Sequence, residues 1–169
     1  MSDDLTIESG ADPAPGALPL SDEARLALEA VKGLVQHMGL DVEARCTEEA
    51  EQIRVTLTGE DESLLIGKKG QTLDALQFMA NKMLGREGLE RRPVMVDAAG
   101  YRDRRADSLV QLAQRLCEKA QRTGKTVALN PMSPRDRRII HMALKDTPGV
   151  TTRSEGEGLQ RRLLIVPEN

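Results

Sequence analysis

Two lysines between two glycines form the first stretch of the chain that could bind a ligand. They are Gly67, Lys68, Lys69 and Gly70, and the apolar spacing after them predicts a helix over 71–84. Glycines let a backbone approach a ligand closely, and a helix start offers unpaired N–H groups and the positive end of the helix dipole. The stretch therefore suits an anion such as a phosphate. The alternative is a plain corner between helices with solvated lysines, and so short a motif does not decide between the two.

An arginine and a histidine four residues apart form the second candidate. Arg137 and His141 follow a clear helix start, with Ser133 as N-cap and Pro134 at the first helical position. Both side chains therefore lie on one helix face. A guanidinium and an imidazole side by side can hold a phosphate, because both donate hydrogen bonds. The pattern alone favours the alternative, a helix-surface pair with a half-buried structural histidine.

Charge is distributed unevenly along the 169 residues, although the net charge is only −3. Residues 1–59 carry 12 acidic and 4 basic side chains, whereas residues 100–169 carry 14 basic and 8 acidic ones. The basic C-terminal part indicates a polyanionic partner. Phe78 and Tyr101 are the only aromatic residues, so stacking of bases on aromatic rings is not the main mode of any nucleic-acid binding.

The sequence does not indicate an enzyme. The phosphate-binding loop pattern of nucleotide triphosphatases is absent. His37 and His141 are the only histidines, and nothing in the pattern brings them together for acid–base chemistry. The carboxylates lack the spacing of a metal site, so we expect neither a metal nor a cofactor.

Cys46 and Cys117 are far apart and form no paired motif, so we expect both to be buried and reduced. There is no targeting sequence and no window as long as a membrane span. We therefore expect a cytoplasmic protein without membrane insertion.

The elements that position these residues follow from periodicity and turn signals. We expect an acidic disordered tail over 1–20 and a polar loop over 85–92. The helix predicted over 71–84 should bury Leu73, Leu76, Ala80 and Met83. A long helix over 102–122 should place Arg105 on a solvated face. The expected elements are a helix from Ser21 to Gly39, a hairpin of strands at 42–46 and 53–57, a short helix from 62, strands at 93–97, 126–129 and 163–166, and a helix from Pro134.

The order of helix, strand, strand, helix, glycine loop, helix and strand, with Ile66-Gly67-Lys68-Lys69-Gly70 in the loop, resembles a type II KH domain. The resemblance implies that the loop clamps the backbone of about four nucleotides. It also implies a base-binding groove of aliphatic side chains, which suits a chain with few aromatic residues.

The C-terminal part resembles the R-three-H (Arg-x-x-x-His) domain, which binds single-stranded nucleic acid. Its motif here is Arg137–His141. Together the two parts resemble the bacterial Jag family, also called KhpB or SpoIIIJ-associated proteins. The stretches that match this family are Gly67–Leu76, Arg137–His141 and Thr152–Gly156, with Arg161 downstream. The implied fold is α+β, with a type II KH domain (α-β-β-α-α-β) over 21–98 and a small α/β R-three-H domain over 99–169. Many members carry an extra N-terminal domain, which we do not expect here.

The resemblance implies a protein that binds single-stranded RNA and acts as a post-transcriptional regulator or RNA chaperone affecting cell division and envelope growth. The expected nucleic-acid contacts are Gly67, Lys68, Lys69, Gly70, Arg137, Arg138, His141, Thr152, Ser154 and Arg161. Thr152, Ser154 and Arg161 are included because they could meet the Arg137/His141 face across a sheet. Phosphate contacts do not read the sugar, so single-stranded DNA is an alternative ligand. A protein-interaction adaptor, with a small KH-domain protein as partner, is the alternative function.

Overall fold

The computed structural model describes residues 19–85 and 92–168. The predicted tail lies outside the described residues up to residue 18, and the predicted polar loop does so over 86–91. Leu20, the last residue of the predicted tail, packs against the hydrophobic core beside it.

The N-terminal half, over 22–98, has the predicted order of elements. Ser21 caps the first helix as predicted, because its hydroxyl accepts a hydrogen bond from the Ala24 N–H at 3.2 Å. The elements are α1 (Asp22–His37), β1 (Val42–Glu48), β2 (Ile53–Gly59), α2 (Glu62–Ile66), α3 (Gln71–Leu84) and β3 (Val94–Ala98).

A three-stranded sheet in the order β1-β2-β3 supports this half. The predicted hairpin is confirmed, since β1 and β2 are antiparallel, whereas β3 is parallel to β2. Alternate residues of β2, namely Ile53, Val55 and Leu57, are fully buried in the same core as residues of α1 and α3. On α3, Leu73, Leu76 and Ala80 are buried as predicted. Met83 is 48% exposed, so its prediction as a core residue is wrong. On α3, Met83 lies outside the buried face that Leu73, Leu76 and Ala80 form.

The C-terminal half consists of α4 (Tyr101–Thr123), β4 (Val127–Ala128), α5 (Pro134–Leu144), β5 (Val150–Glu155) and β6 (Arg162–Pro167). Its strands form a second sheet in the order β4-β6-β5, with antiparallel neighbours. Ser133 caps α5 as predicted, accepting a hydrogen bond from the Asp136 N–H at 3.2 Å.

Each half has its own hydrophobic core. The second core joins one face of α4 to α5 and the sheet, and Leu109, Ile140 and Ile165 are its largest fully buried side chains. Both cysteines are free, Cys46 half-buried and Cys117 buried, and burial raises the pKa of each thiol. None of the described helices combines the length and the apolar character needed to cross a membrane.

Candidate nucleic-acid interface

The GKKG loop turns sharply between α2 and α3 through left-handed backbone. Gly67, Lys69 and Gly70 have φ of 63°, 56° and 81°. A Cβ on Gly67 would lie 2.1 Å from the Thr72 hydroxyl oxygen, so only glycine fits there. Lys68 and Lys69 are exposed at the tip. The loop therefore presents two exposed cationic side chains on a backbone whose positive φ angles favour glycine.

Gly70 is the point where the C-terminal half contacts the loop. A Cβ on Gly70 would lie 2.8 Å from Cε1 of Tyr101, the first residue of α4. Gly70 is buried by this contact and Tyr101 also packs against the first core. Burial raises the pKa of the Tyr101 phenol. Because it has no side chain, Gly70 allows the two halves to pack closely at this point.

The Arg137/His141 face of α5 is held by two hydroxyls of β5. Arg137 Nη1 donates to Ser154 Oγ at 3.2 Å, and His141 Nδ1 is hydrogen-bonded to Thr152 Oγ1 at 2.5 Å. Thr152 and Ser154 are two residues apart, so their side chains leave the same face of the strand. The expectation that these two residues meet the Arg137/His141 face is confirmed. The hydroxyls fix the orientation of both basic side chains.

This face opens on a groove of about 690 Å³, called here the RxxxH groove. Its lining comprises Pro134, Arg135, Arg137, Arg138, His141, Thr152, Ser154 and Leu163. Arg161, which the sequence grouped with these residues, does not line the groove. Its carbonyl accepts a hydrogen bond from the Met132 N–H at 3.3 Å. His141 is exposed, so the structural interpretation of a half-buried histidine does not hold.

The RxxxH groove carries positive charge from its arginines. Among residues 19–85 and 92–168, no carboxylate lies within 4.0 Å of the basic groups of Arg137, Arg138 or His141. In the part of the chain that the structure describes, the buried Nε of Arg137 has no hydrogen-bond partner, which is costly for a donor. Nη1 is bonded to a neutral hydroxyl, so the positive charge of the guanidinium is available to an anion.

Sequence reasoning missed the junction between the halves. Arg105 was expected on a solvated face, but it donates to the buried carboxylate of Asp136 at 2.7 Å. That expectation is wrong because its partner lies on a different helix. Arg102 is buried and donates to Asp74 of α3 at 2.8 Å and to the Val96 carbonyl at 2.6 Å. An arginine in the first turn of an apolar-periodic helix gives no signal of such partners.

No group of three or more histidine, cysteine or acidic side chains suited to a metal occurs in the part of the chain that the structure describes. Both surfaces offer positive charge, and Arg137 and His141 add hydrogen-bonding groups that suit an anion.

Two families match the chain, one in each half. Residues 24–96 match the KhpA/KhpB KH domain, and residues 107–167 match the R-three-H domain. The R-three-H match includes the RxxxH groove, and the KH match includes the GKKG loop.

Three curated relatives are each called RNA-binding protein KhpB. That of Clostridium symbiosum is 38% identical over 146 residues, 86% of this chain and 65% of the relative. That of Bacillus subtilis (strain 168) is 40% identical over 120 residues, 70% of this chain and 58% of the relative. That of Streptococcus pneumoniae serotype 2 (strain D39) is 29% identical over 131 residues, 76% of this chain and 40% of the relative.

This chain therefore spans less than two thirds of the length of these relatives. Their name is that of RNA-binding proteins and not of enzymes. With a KH match around the GKKG loop and an R-three-H match around the Arg137/His141 pair, the chain belongs to the KhpB/Jag family.

Proposed function

We propose that the chain binds one single strand of RNA at two places, the GKKG loop and the RxxxH groove, without catalysing a reaction. The observation that carries the proposal is the groove, where Ser154 is bonded to the half-buried Arg137 and Thr152 to the exposed His141. A guanidinium and an imidazole placed in this way match the oxygens of a phosphate. The name of the relatives, RNA-binding protein KhpB, supports RNA as the ligand.

The loop would hold the strand through its backbone N–H groups and the charges of Lys68 and Lys69. Such contacts position a strand without reading its sequence. Two weak sites on one chain gain affinity through effective concentration, provided that one strand reaches both. We also propose that the chain divides into domains at about residues 98 and 99, and that Arg161 contributes charge beside the groove.

The family resemblance extends the proposal to the cell. It supports a cytoplasmic post-transcriptional regulator or RNA chaperone that affects cell division and envelope growth. These roles rest on the resemblance and not on the geometry of the site.

A protein-interaction adaptor is the second candidate function, and one observation favours it. Phe78, Met79 and Met83 of α3 are 63%, 48% and 48% exposed. They form one apolar face directed away from the first core. Exposed apolar side chains grouped in this way mark interaction surfaces. A small KH-domain protein is the partner that the resemblance implies.

The test is fluorescence anisotropy of a labelled 12-nucleotide RNA over a range of salt concentrations. Variants with Lys68→Asp and Lys69→Asp, or with Arg137→Ala and His141→Ala, should each weaken binding and flatten its salt dependence, because phosphate contacts release counterions. A DNA strand of the same sequence distinguishes the two nucleic acids. If wild type shows no salt-dependent binding, the RNA function is wrong and the adaptor function becomes the leading one.

A further inference from the structure

Arg135 belongs to two surfaces at once. It lines the RxxxH groove together with Arg137, Arg138 and His141. It also lines a crevice at the junction of the halves, where the GKKG loop contributes Lys69 and Gly70. The side chain therefore lies on the route from one proposed RNA contact to the other.

The other two arginines of the junction crevice are each paired with a carboxylate. Arg102 is paired with Asp74 at 2.8 Å and Arg105 with Asp136 at 2.7 Å. Arg135 differs, because no carboxylate of the described residues lies within 4.0 Å of its guanidinium. Its one hydrogen bond within residues 19–85 and 92–168 joins Nη1 to the Met95 sulfur at 3.4 Å, and a thioether is a weak acceptor. The guanidinium keeps most of its donors for another partner.

The positive charge of Arg135 is only partly balanced by its neighbours. Burial and, after it, the charge of Arg102 lower the pKa of the Arg135 guanidinium, although Asp74, Asp97 and Asp136 act in the opposite direction. A further anion close to the guanidinium would favour its charged form.

The junction also fixes the distance between the two surfaces. Arg102 is buried and bonded to α3 and to the carbonyl of Val96. Tyr101 packs on Gly70 beside the loop. Because these contacts join both halves through the first two turns of α4, a strand would meet the three positions in a constant arrangement.

We propose that Arg135 binds a backbone phosphate of the RNA between the GKKG loop and the RxxxH groove, so that the two surfaces form one continuous path. This inference rests on the proposed function and adds a contact at the junction. The strand would pass from Lys69 across Arg135 to Arg137 and His141. The halves then act as one binding surface and not as two sites joined by a free loop of RNA.

The experiment compares Arg135→Gln with wild type and with Arg122→Gln, using the labelled 12-nucleotide RNA over a range of salt concentrations. Arg122 is exposed on the same helix as Arg105. At a rise of 1.5 Å per residue, it lies about 25 Å further along the helix than Arg105. Both substitutions remove one positive charge. Arg135→Gln should weaken binding about tenfold and reduce the slope of log K against log salt by about 0.7. Arg122→Gln should resemble wild type.

Two further variants keep the test decisive. Arg135→Lys should restore most of the salt slope, because it returns the charge. If Arg135→Gln melts well below wild type, Arg135→Met, which suits the contact with Met95, replaces it. The Lys68→Asp, Lys69→Asp variant is measured beside them.

The possible failures are distinguishable. If Arg135→Gln binds RNA as tightly as Arg122→Gln while the Lys68→Asp, Lys69→Asp variant loses affinity, the strand does not touch the junction. Only the present inference is then overturned. A loss of affinity with an unchanged salt slope would also overturn it, since Arg135 would then act on structure and not on a phosphate. Absence of salt-dependent binding by wild type would reject the proposed function itself.

Discussion

At the scale of single residues, Gly70 is constrained both by its backbone and by its neighbour. Its φ of 81° is unfavourable for side chains, and an added methyl group would meet the ring of Tyr101 at 2.8 Å. The sequence predicts a glycine-bearing loop here, because two glycines flank two lysines. It does not predict the ring, which comes from the start of another helix.

Gly70→Ala should lower the free energy of unfolding by about 2 kcal/mol, from left-handed strain and the displaced ring. Gly33→Ala is the matched control, because it lies inside α1 with nothing within 4 Å of an added Cβ. That variant should gain about 0.5–1 kcal/mol. Urea denaturation measures both. Equal stability of Gly70→Ala and wild type would show that Tyr101 does not press on the loop.

Thr152 and Ser154 show how much of the site a sequence can reveal at this scale. The helical spacing of Arg137 and His141 places them on one face, and the structure confirms it with hydrogen bonds to both hydroxyls. Arg161 was grouped with them but does not line the groove, although it directly precedes β6. The register between strands decides which residues lie opposite each other in the sheet, and the sequence of one strand does not determine it.

At the scale of elements, helix starts are the features that the sequence predicts best. Both Ser21 and Ser133 cap their helices as expected, because a cap is a local interaction over three residues. Contacts between elements are different. Arg105 and Asp136 are 31 residues apart, and neither helix alone indicates that their side chains meet.

Ser133→Ala should destabilise the protein by about 1 kcal/mol, because the N–H groups at the start of α5 lose an acceptor. The control is Ser108→Ala in α4. The Ser108 hydroxyl only donates to the Arg104 carbonyl of its own helix, so its loss should change stability by less than about 0.5 kcal/mol. Thermal unfolding monitored by circular dichroism measures the difference. Equal effects at the two serines would contradict the role of the cap.

A double-mutant cycle tests the bond between α4 and α5. Arg105→Gln and Asp136→Asn should show a coupling energy of about 1–3 kcal/mol, since the two side chains are only 24% and 7% exposed. The pair Asp22 and Arg25 is the control, because its 2.6 Å distance is similar but its side chains are 91% and 63% exposed. Coupling there should be below about 0.5 kcal/mol. A similar coupling in both pairs would show that burial does not strengthen the junction.

At the scale of the whole molecule, the order of elements and the presence of two cores follow from periodicity. Each core is built from stripes that the sequence displays, such as the alternate residues of β2. The arrangement of the halves depends instead on isolated charged residues, and Arg102, Arg105 and Arg135 have no periodic signature. For this reason the GKKG loop and the Arg137/His141 pair were predictable as separate candidates, whereas the surface that joins them was not.

Stability in acid should depend on a cluster that joins distant parts of the N-terminal half. The backbone N–H of Ser21, then Arg92 and the Ser21 hydroxyl, lower the pKa of Glu48 to about 2. Because the pKa is lowered on folding, this carboxylate stabilises the fold above its unfolded value of about 4.5, and the contribution is lost as the pH falls from there towards 2.

Glu48→Gln should therefore be less stable than wild type at pH 7, and the difference should shrink as the pH falls through 4.5 to 2. Urea denaturation across that range measures it. Glu43→Gln, on the exposed face of the same strand, controls for the loss of one charge. A difference that stays constant with pH would contradict the lowered pKa.

Because Tyr101 contacts Gly70, the two halves are not fully independent units that could be exchanged between proteins. The ring that closes one side of the GKKG loop belongs to the helix that builds the other core. A fragment ending at Ala98 would lack that ring and leave the loop with more conformations in solution. Ordering them on binding costs entropy. Transferring this loop segment to another protein would therefore carry over its residues but not the packing that restricts its conformations.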